Sequence, residues 1–207
     1  MTTTVYLVRH GQITSNTTGF YSGRSDEDLN DLGYMQARML SSRMAGLAIG
    51  SVYTSPLRRA YTTARILAEP HSLGVNVLDD LIEIQLGDWQ GQYEDEIGRR
   101  WPELWKQSQT DPSELTLPNG ESFSQVAVRA VRAFETVLAA SRGGQTVIVT
   151  HDVVIRILVA HVLGVPNSIY RRLEIGNASL STIRVAGGNK QLLTLNDTSH
   201  LDGLPLS

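Results

Sequence analysis

Two short stretches carry residue types that could do chemistry. The apolar run Val5–Val8 stops on Arg9, His10 and Gly11, and the run in "TVIVTHD" stops on His151 and Asp152. An imidazole with an ordinary pKa near ~6.5 is largely neutral at physiological pH, so it can attack an electrophile without a separate base. A guanidinium beside it adds charge-assisted hydrogen bonds for an anion. A lone histidine at the end of a strand is more often a structural hydrogen-bonding residue. Two strands ending alike, in a chain with 5 histidines, point instead to a shared site. His71 and His161 fall in helical contexts and read as structural, while the sequence leaves His200 undecided.

A third clue is electrostatic. Ser55 reads as an N-cap and Pro56 as the first residue of a helix running to about Ala68. Arg58 and Arg59 then occupy its first turn, where the macrodipole is positive and a cation costs about 0.3–1 kcal/mol unless an anion faces it. A phosphate reverses that sign, accepting from the helix N-terminus and from a guanidinium. One of the two arginines is free to point to solvent, and spacing alone does not say which. Arg9, one of this pair and two imidazoles make an anion pocket. Such a pocket suits phosphoryl transfer better than metal binding, because guanidiniums repel a divalent ion. Phosphoryl transfer also needs an acid for the departing oxygen. Glu83 and Asp88 both stand at the entrance to a polar, proline-bearing stretch, and the residue types leave both open.

Strands and helices must bring these groups together. "TVYLV", "SVYTS" and "QTVIVT" read as strands. Helices are expected over "NDLGYMQARMLSSRMAGL", with Leu32, Met35, Met39, Leu40 and Met44 on its apolar face, and over "ESFSQVAVRAVRAFETVLAA" and "DVVIRILVAHVLG". "SLSTIRVAGGNKQLLTLN" reads as a hairpin turning at Gly187-Gly188-Asn189. This alternation predicts an α/β fold, with a mostly parallel central sheet and helices on both faces. In open parallel sheets ligands sit beyond the carboxyl ends of the strands, where Arg9, His10 and His151 would lie. Residues 84–120 break the rhythm and hold all 3 tryptophans, Trp89, Trp101 and Trp105. They are expected to form a lid over the strand ends, within one domain spanning 1–207. At least two of the tryptophans are expected to serve the lid's own core.

Composition sets outer bounds. The 207 residues are 41% hydrophobic and 19% charged, ordinary values for a soluble domain. The net charge of −3 argues against a general nucleic-acid binder, and the absence of cysteine excludes disulfides and thiolate chemistry. No stretch has the length of a membrane span, and "MTTTVYLVRHG" carries no basic leader, so a cytoplasmic protein is expected.

The blocks "LVRHG" with Asn16, "GFYSGRSDEDLNDLG", "TSPLRRAYTTA", "LIEIQLGDWQG", "VTHDVVIR" and "LNDTSHL" resemble, in order and spacing, the histidine phosphatase superfamily of phosphoglycerate mutase-like proteins. The resemblance runs over nearly the whole chain. It implies that His10 is transiently phosphorylated, and that Arg9, Arg59 and His151 hold the phosphoryl oxygens. It also implies that Asn16, Ser22 and Gly23 line the phosphate or substrate pocket. Glu83 matches the usual proton donor and Trp89 a structural "G-x-W-x-G" turn. No metal or organic cofactor is implied. The expected reaction is hydrolysis of small phosphomonoesters, with phosphoglycerate mutase as the alternative and a silent phosphate-ligand-binding protein as a remoter one. The expected partners are a small phosphorylated metabolite and, at most, a second copy in a homodimer, with no nucleic acid and no membrane. Two positions depart from the family. Gln12 replaces a common acidic residue, with a slight effect expected on substrate preference. Asp152 replaces a common glycine whose backbone N–H can contact phosphate; a carboxylate need not block that contact, so Asp152 is counted among the expected phosphate- or substrate-binding residues. Its carboxylate is expected either to cap the following helix or to favour a charged His151.

Overall fold

The computed structural model describes residues 1–204, so the last three residues of the expected 1–207 domain lie outside the described residues. Six strands form one sheet: β1 (Thr2–Arg9), β2 (Ile49–Thr54), β3 (Val75–Val77), β4 (Gln145–Thr150), β5 (Leu180–Ala186) and β6 (Asn189–Asp197), in the order β3-β2-β4-β1-β5-β6. β1 to β4 run parallel, while β5 is antiparallel to β1 and to β6. The fold is therefore α/β and mostly parallel. The hairpin turns on Gly187 and Gly188 alone, since Asn189 already pairs with Ala186. β3, three residues on an edge, is too short to leave a periodic signal in the sequence.

Helices cover both faces. α1 (Asp31–Met44) and α2 (Arg58–Ala68) pack together against Val8, Val52, Val147 and Val149. After two short helices, α3 (Glu94–Arg100) and α4 (Pro102–Thr110), come α5 (Phe123–Ala140) and α6 (Asp152–Leu163). These last two pack on the opposite face against Val5, Leu7, Ile148 and Ile183. Alternate residues of β4 thus feed two different apolar clusters, which is why its sequence reads as one unbroken apolar run.

Two expectations shift. α1 buries Gly33, Gln36, Ala37, Leu40, Ser41 and Met44, whereas Met35 is exposed. Leu40 and Met44 are buried as expected, but the N-terminal part of the stripe, Gly33, Gln36 and Ala37, is small or polar because the backbone of α1 meets the loop after β1. A Cβ on Gly11 would lie 2.5 Å from the carbonyl oxygen of Gly33. Gly11 has no side chain because that approach leaves no space for one. α2 begins at Arg58 rather than Pro56, and the N-cap is Leu57. Ser55 Oγ accepts a 3.3 Å hydrogen bond from the Leu57 N–H, but Ser55 also serves the site, as shown below.

Residues 84–120 contain α3 and α4, and their buried side chains, among them Trp89, Ile97, Leu115 and Leu117, share one cluster with sheet residues Val5 and Leu7. Trp89 meets Tyr21 edge-on and the other two tryptophans at a tilt, with its ring centroid 6.1 Å from that of Trp105 and 6.4 Å from that of Trp101. Gly87 turns the segment with φ +56°, and a Cβ there would lie 2.0 Å from the Pro118 carbonyl oxygen. Among the described residues no helix is long and apolar enough to cross a membrane.

Candidate active site

The carboxyl ends of β1 and β4 lie side by side, and the His10 N–H continues the ladder by donating to Thr150 O at 3.1 Å. This pairing brings the two imidazoles to a centroid distance of 5.1 Å with a 60° tilt. Beside them opens a cavity of about 350 Å³. Arg9, His10, Asn16, Ser22, Gly23, Arg59, Glu83 and Asp152 all line it. His151 does not line it. Its side chain is fully buried, with Nε2 2.7 Å from Ser55 Oγ and Nδ1 lacking a partner.

His10 is held in one orientation. Its Nδ1 lies 2.7 Å from Gly11 O, and a carbonyl only accepts, so Nδ1 carries the proton. Nε2 is then the free lone pair, and it accepts from Arg59 Nε at 3.2 Å. Burial, followed by the charges of Arg59 and Arg9, holds the His10 pKa well below its ordinary value. The same causes, burial first and then Arg59, hold His151 down. Both imidazoles are neutral at neutral pH.

The arginine question is settled by placement. Arg58 is exposed and pairs with Asp28 at 3.0 Å. Arg59 is 1% exposed, and its two terminal nitrogens donate to Ser25 O at 2.7 Å and Gly23 O at 2.6 Å. Arg9 donates to Ile175 O at 2.6 Å and keeps a buried Nε without a partner. Asn16 Oδ1 accepts from the Ile13 N–H at 3.1 Å and from Asn177 Nδ2 at 3.0 Å, which leaves the Asn16 amide nitrogen as the free donor.

The two acids separate equally well. Asp88 is exposed, held by Asn119 at 3.1 Å, and absent from the cavity wall. Glu83 lies in the wall, and its carboxylate accepts only from the Ile84 N–H, at 2.8 Å. Burial pushes the Glu83 pKa up, with Asp152 adding to it, against the Ile84 hydrogen bond and the charges of Arg59 and Arg129.

The Asp152 carboxylate does neither of the things expected of it. Asp152 is the first residue of α6, but its carboxylate turns to Arg156, at 3.0 Å, and to the Tyr170 hydroxyl, at 3.2 Å, instead of capping backbone N–H groups. It lies 4.0 Å from Arg9. It is not among the groups acting on the His151 pKa, which is lowered rather than raised. Gln12 stands outside the cavity wall. It is buried, its N–H donates to Gln36 Oε1 at 2.9 Å and its Oε1 accepts from Asn30 at 3.0 Å, so it ties the β1 loop to α1.

Several residues of the site escaped sequence reasoning. Tyr21, Arg156, Tyr170 and Arg171 line the cavity away from the histidines, and Trp89 lines it while also serving the core. The run "YRR" at Tyr170–Arg172 was a legible signal, being two cations and an aromatic residue beyond a helix. Ser55 and Asn177 gave none, because they act through hydrogen bonds to residues far away in the chain.

Comparison with known proteins agrees with this geometry. The model of the histidine phosphatase superfamily (branch 1) matches residues 5–198. The chain is 33% identical over 195 residues to phosphoserine phosphatase 1 of Hydrogenobacter thermophilus, covering 94% of this chain and 92% of that protein. It is 34% identical over 207 residues to "Probable phosphoglycerate mutase GpmB" of Serratia proteamaculans, covering 96% and 94%. It spans about half the length (55%) of three mycobacterial relatives that it matches at 34% identity. Among solved structures, Bacillus stearothermophilus YhfR superposes with a TM-score of 0.93 at 30% identity, covering 97% of this chain and 100% of that one.

Proposed function

Because the chain belongs to the histidine phosphatase superfamily, we propose that it hydrolyses small phosphomonoesters through a phosphohistidine at His10. The observation that carries the reading is the fixed tautomer of His10, with Nδ1–H spent on Gly11 O and Nε2 offered beside Arg59. On this reading a phosphoryl group displaces the Arg59 Nε hydrogen bond onto its own oxygens, and the released lone pair attacks phosphorus in line. Arg9, Arg59, the Asn16 amide and the unpartnered Nδ1 of His151 hold the equatorial oxygens, while Ser22 and Gly23 shape the pocket around them. Glu83, whose pKa burial raises, gives its proton to the departing alkoxide. Its carboxylate then takes a proton from the water that hydrolyses the phosphohistidine. A raised carboxyl pKa and a lowered imidazole pKa are what one acid and one neutral nucleophile need at the same pH.

The cations that neutralise the phosphoryl charge here are guanidiniums, so activity is expected to survive exhaustive chelation. We read the chain as one cytoplasmic domain whose 84–120 segment acts as a lid over the cavity. Rapid quenching with phosphate-labelled substrate tests the reaction. A base-stable, acid-labile label on the protein, absent from His10→Ala, is the expected result, and turnover persisting in that variant would sink the assignment. The mutase-named relative favours a second reading, in which the phosphoryl group returns to the substrate. Incubation with 3-phosphoglycerate and its bisphosphate primer separates the two. Phosphate release should exceed formation of 2-phosphoglycerate.

A further inference from the structure

We propose that Glu121, with Arg24 and Arg129, is a positioning device that fixes the carboxyl of Glu83 relative to the anion pocket. The proposal rests on the reading of Glu83 as the leaving-group acid. The Glu83 carboxylate has no side-chain partner and accepts only from the Ile84 N–H, at 2.8 Å. Its place is therefore set by its own backbone, and that backbone is gripped by charge. The Glu83 carbonyl accepts from Arg24 Nε at 2.9 Å and from Arg129 Nη2 at 3.2 Å. Arg129, buried in α5, also donates through Nη1 to Asp80 O at 2.9 Å and to Ile82 O, so one guanidinium spans three carbonyls of the segment that ends on the acid.

Glu121 ties these groups together. Its carboxylate accepts from Arg24 Nη2 at 2.9 Å, from Arg129 Nε at 3.0 Å and Nη2 at 2.9 Å, and from the Gln85 N–H at 2.9 Å. Burial works to raise the Glu121 pKa, but the hydrogen bonds from Arg129 and Gln85 and the charges of Arg129 and Arg24 outweigh it, and the group stays ionised. The carboxylate thus holds both arginines and the backbone two residues beyond the acid. Arg24 adds the link to the phosphate side. Its neighbours Gly23 and Ser25 offer the carbonyls that accept from Arg59. The three-residue loop is held on one side by the arginine assigned to the phosphoryl oxygens, and on the other its side chain reaches Glu83. A mere packing role would not need two cations converging on one carbonyl oxygen. A displacement of about 1 Å in a proton donor can cost on the order of 100-fold in rate, so such bracing has a kinetic consequence.

The test compares Glu121→Gln and Arg129→Lys with wild type on two substrates, p-nitrophenyl phosphate and glycerol phosphate, alongside thermal unfolding. The nitrophenolate leaves with little protonation, whereas the alkoxide needs the acid. Both variants are expected to lose on the order of 10- to 100-fold in kcat/KM on glycerol phosphate and about 3-fold or less on p-nitrophenyl phosphate. Glu83→Gln serves as the control and should show the same selectivity, more strongly. Equal losses on both substrates in the two variants, with Glu83→Gln selective, would overturn the positioning role while leaving the acid in place. A Glu83→Gln without selectivity would overturn the acid reading and the proposal with it. Should Glu121→Gln fail to fold, Arg129→Lys decides alone, since it keeps the charge but cannot span three carbonyls.

Discussion

The ends of β1 and β4 are nearly the same in sequence, an apolar strand followed by a histidine, and they differ sharply in surroundings. His10 lines the cavity with a fixed tautomer and an accessible Nε2 held by Arg59. His151 is fully buried next to it, its ring centroid 5.1 Å from that of His10, with Nε2 spent on Ser55 and Nδ1 unpaired. The sequence pattern specifies a strand that delivers an imidazole, and no more. What each imidazole can do is decided by the element opposite. For His10 this is Arg59 on α2, and for His151 it is Ser55 in the loop after β2. On the proposed mechanism, a nucleophile and a supporting donor therefore come from one local design.

The largest expected effect tests that asymmetry directly. His10→Ala should lower kcat by about 10⁴-fold or more, because no other group offers a lone pair to phosphorus. Steady-state rates with p-nitrophenyl phosphate measure it. His151→Ala should cost less, on the order of 10²–10³-fold, as for the loss of one preorganised donor to developing charge. If the two variants lost activity equally and both abolished the phosphoenzyme label, the distinction between the strand ends would be broken.

Glu83→Gln should come next on average, with a loss of about 10²-fold on alkyl phosphomonoesters and far less on p-nitrophenyl phosphate. Its pH profile sharpens the contrast between the groups. Activity of the wild type should rise as pH climbs through the depressed His10 pKa and fall as it climbs through the raised Glu83 pKa. The alkaline limb of kcat/KM should vanish in Glu83→Gln and the acid limb should stay.

A smaller effect lies in stability. His10 and His151 have folded pKa values below the unfolded value of about 6.5, so between those values the folded state binds fewer protons than the unfolded chain. Their contribution is whole above about pH 6.5 and is lost as pH falls below it. Glu83 has the opposite sign: its folded pKa is raised, so its contribution is present below its unfolded pKa and lost as pH rises. With two histidines against one carboxyl, Tm is expected to fall between pH 7.5 and 5.5. Saturating phosphate places an anion beside both imidazoles and should flatten that slope. A Tm that rises on acidification would show that the imidazoles are not held neutral.

How much of this was legible in the sequence follows from range. The strands that position the site depend on neighbours in the chain, and their patterns survive in the letters. The choice of Arg59 over Arg58 came from family resemblance, and its physical reason is visible only in the fold: one points to Asp28 and solvent, the other inward to His10. α1 was read only in part: Leu40 and Met44 are buried as expected, but Met35 is exposed and the rest of the buried face is small or polar. Gly33 and Gln36 are buried there by a close backbone approach and a hydrogen bond to Gln12, and neither leaves an apolar trace. Arg129 was invisible for a related reason. A cation in an amphipathic helix reads as solvated unless the carbonyls it serves, some 46–49 residues away, are already in place.

The smallest expected effect concerns Asp152, which follows His151 where His10 is followed by Gly11. Its carboxylate bridges Arg156 and Tyr170 and lies 4.0 Å from Arg9, so it moderates positive charge on the far wall of the cavity. Asp152→Gly removes that moderation and frees Arg156, which keeps its bonds to Tyr170 O and Leu173 O. A more positive wall should favour a dianionic substrate, while a loosened Tyr170 should disfavour it, so the net change in KM is expected to stay under about tenfold, with kcat altered by a similar factor at most. Stability should fall by about 1–2 kcal/mol, from the lost ion pair and from glycine in the first turn of α6, which lowers Tm by a few degrees. Steady-state kinetics and thermal unfolding of the one variant read both quantities. A fall in kcat of several orders of magnitude, with folding intact, would contradict this assignment and would make Asp152, rather than Glu83, the group that handles the proton.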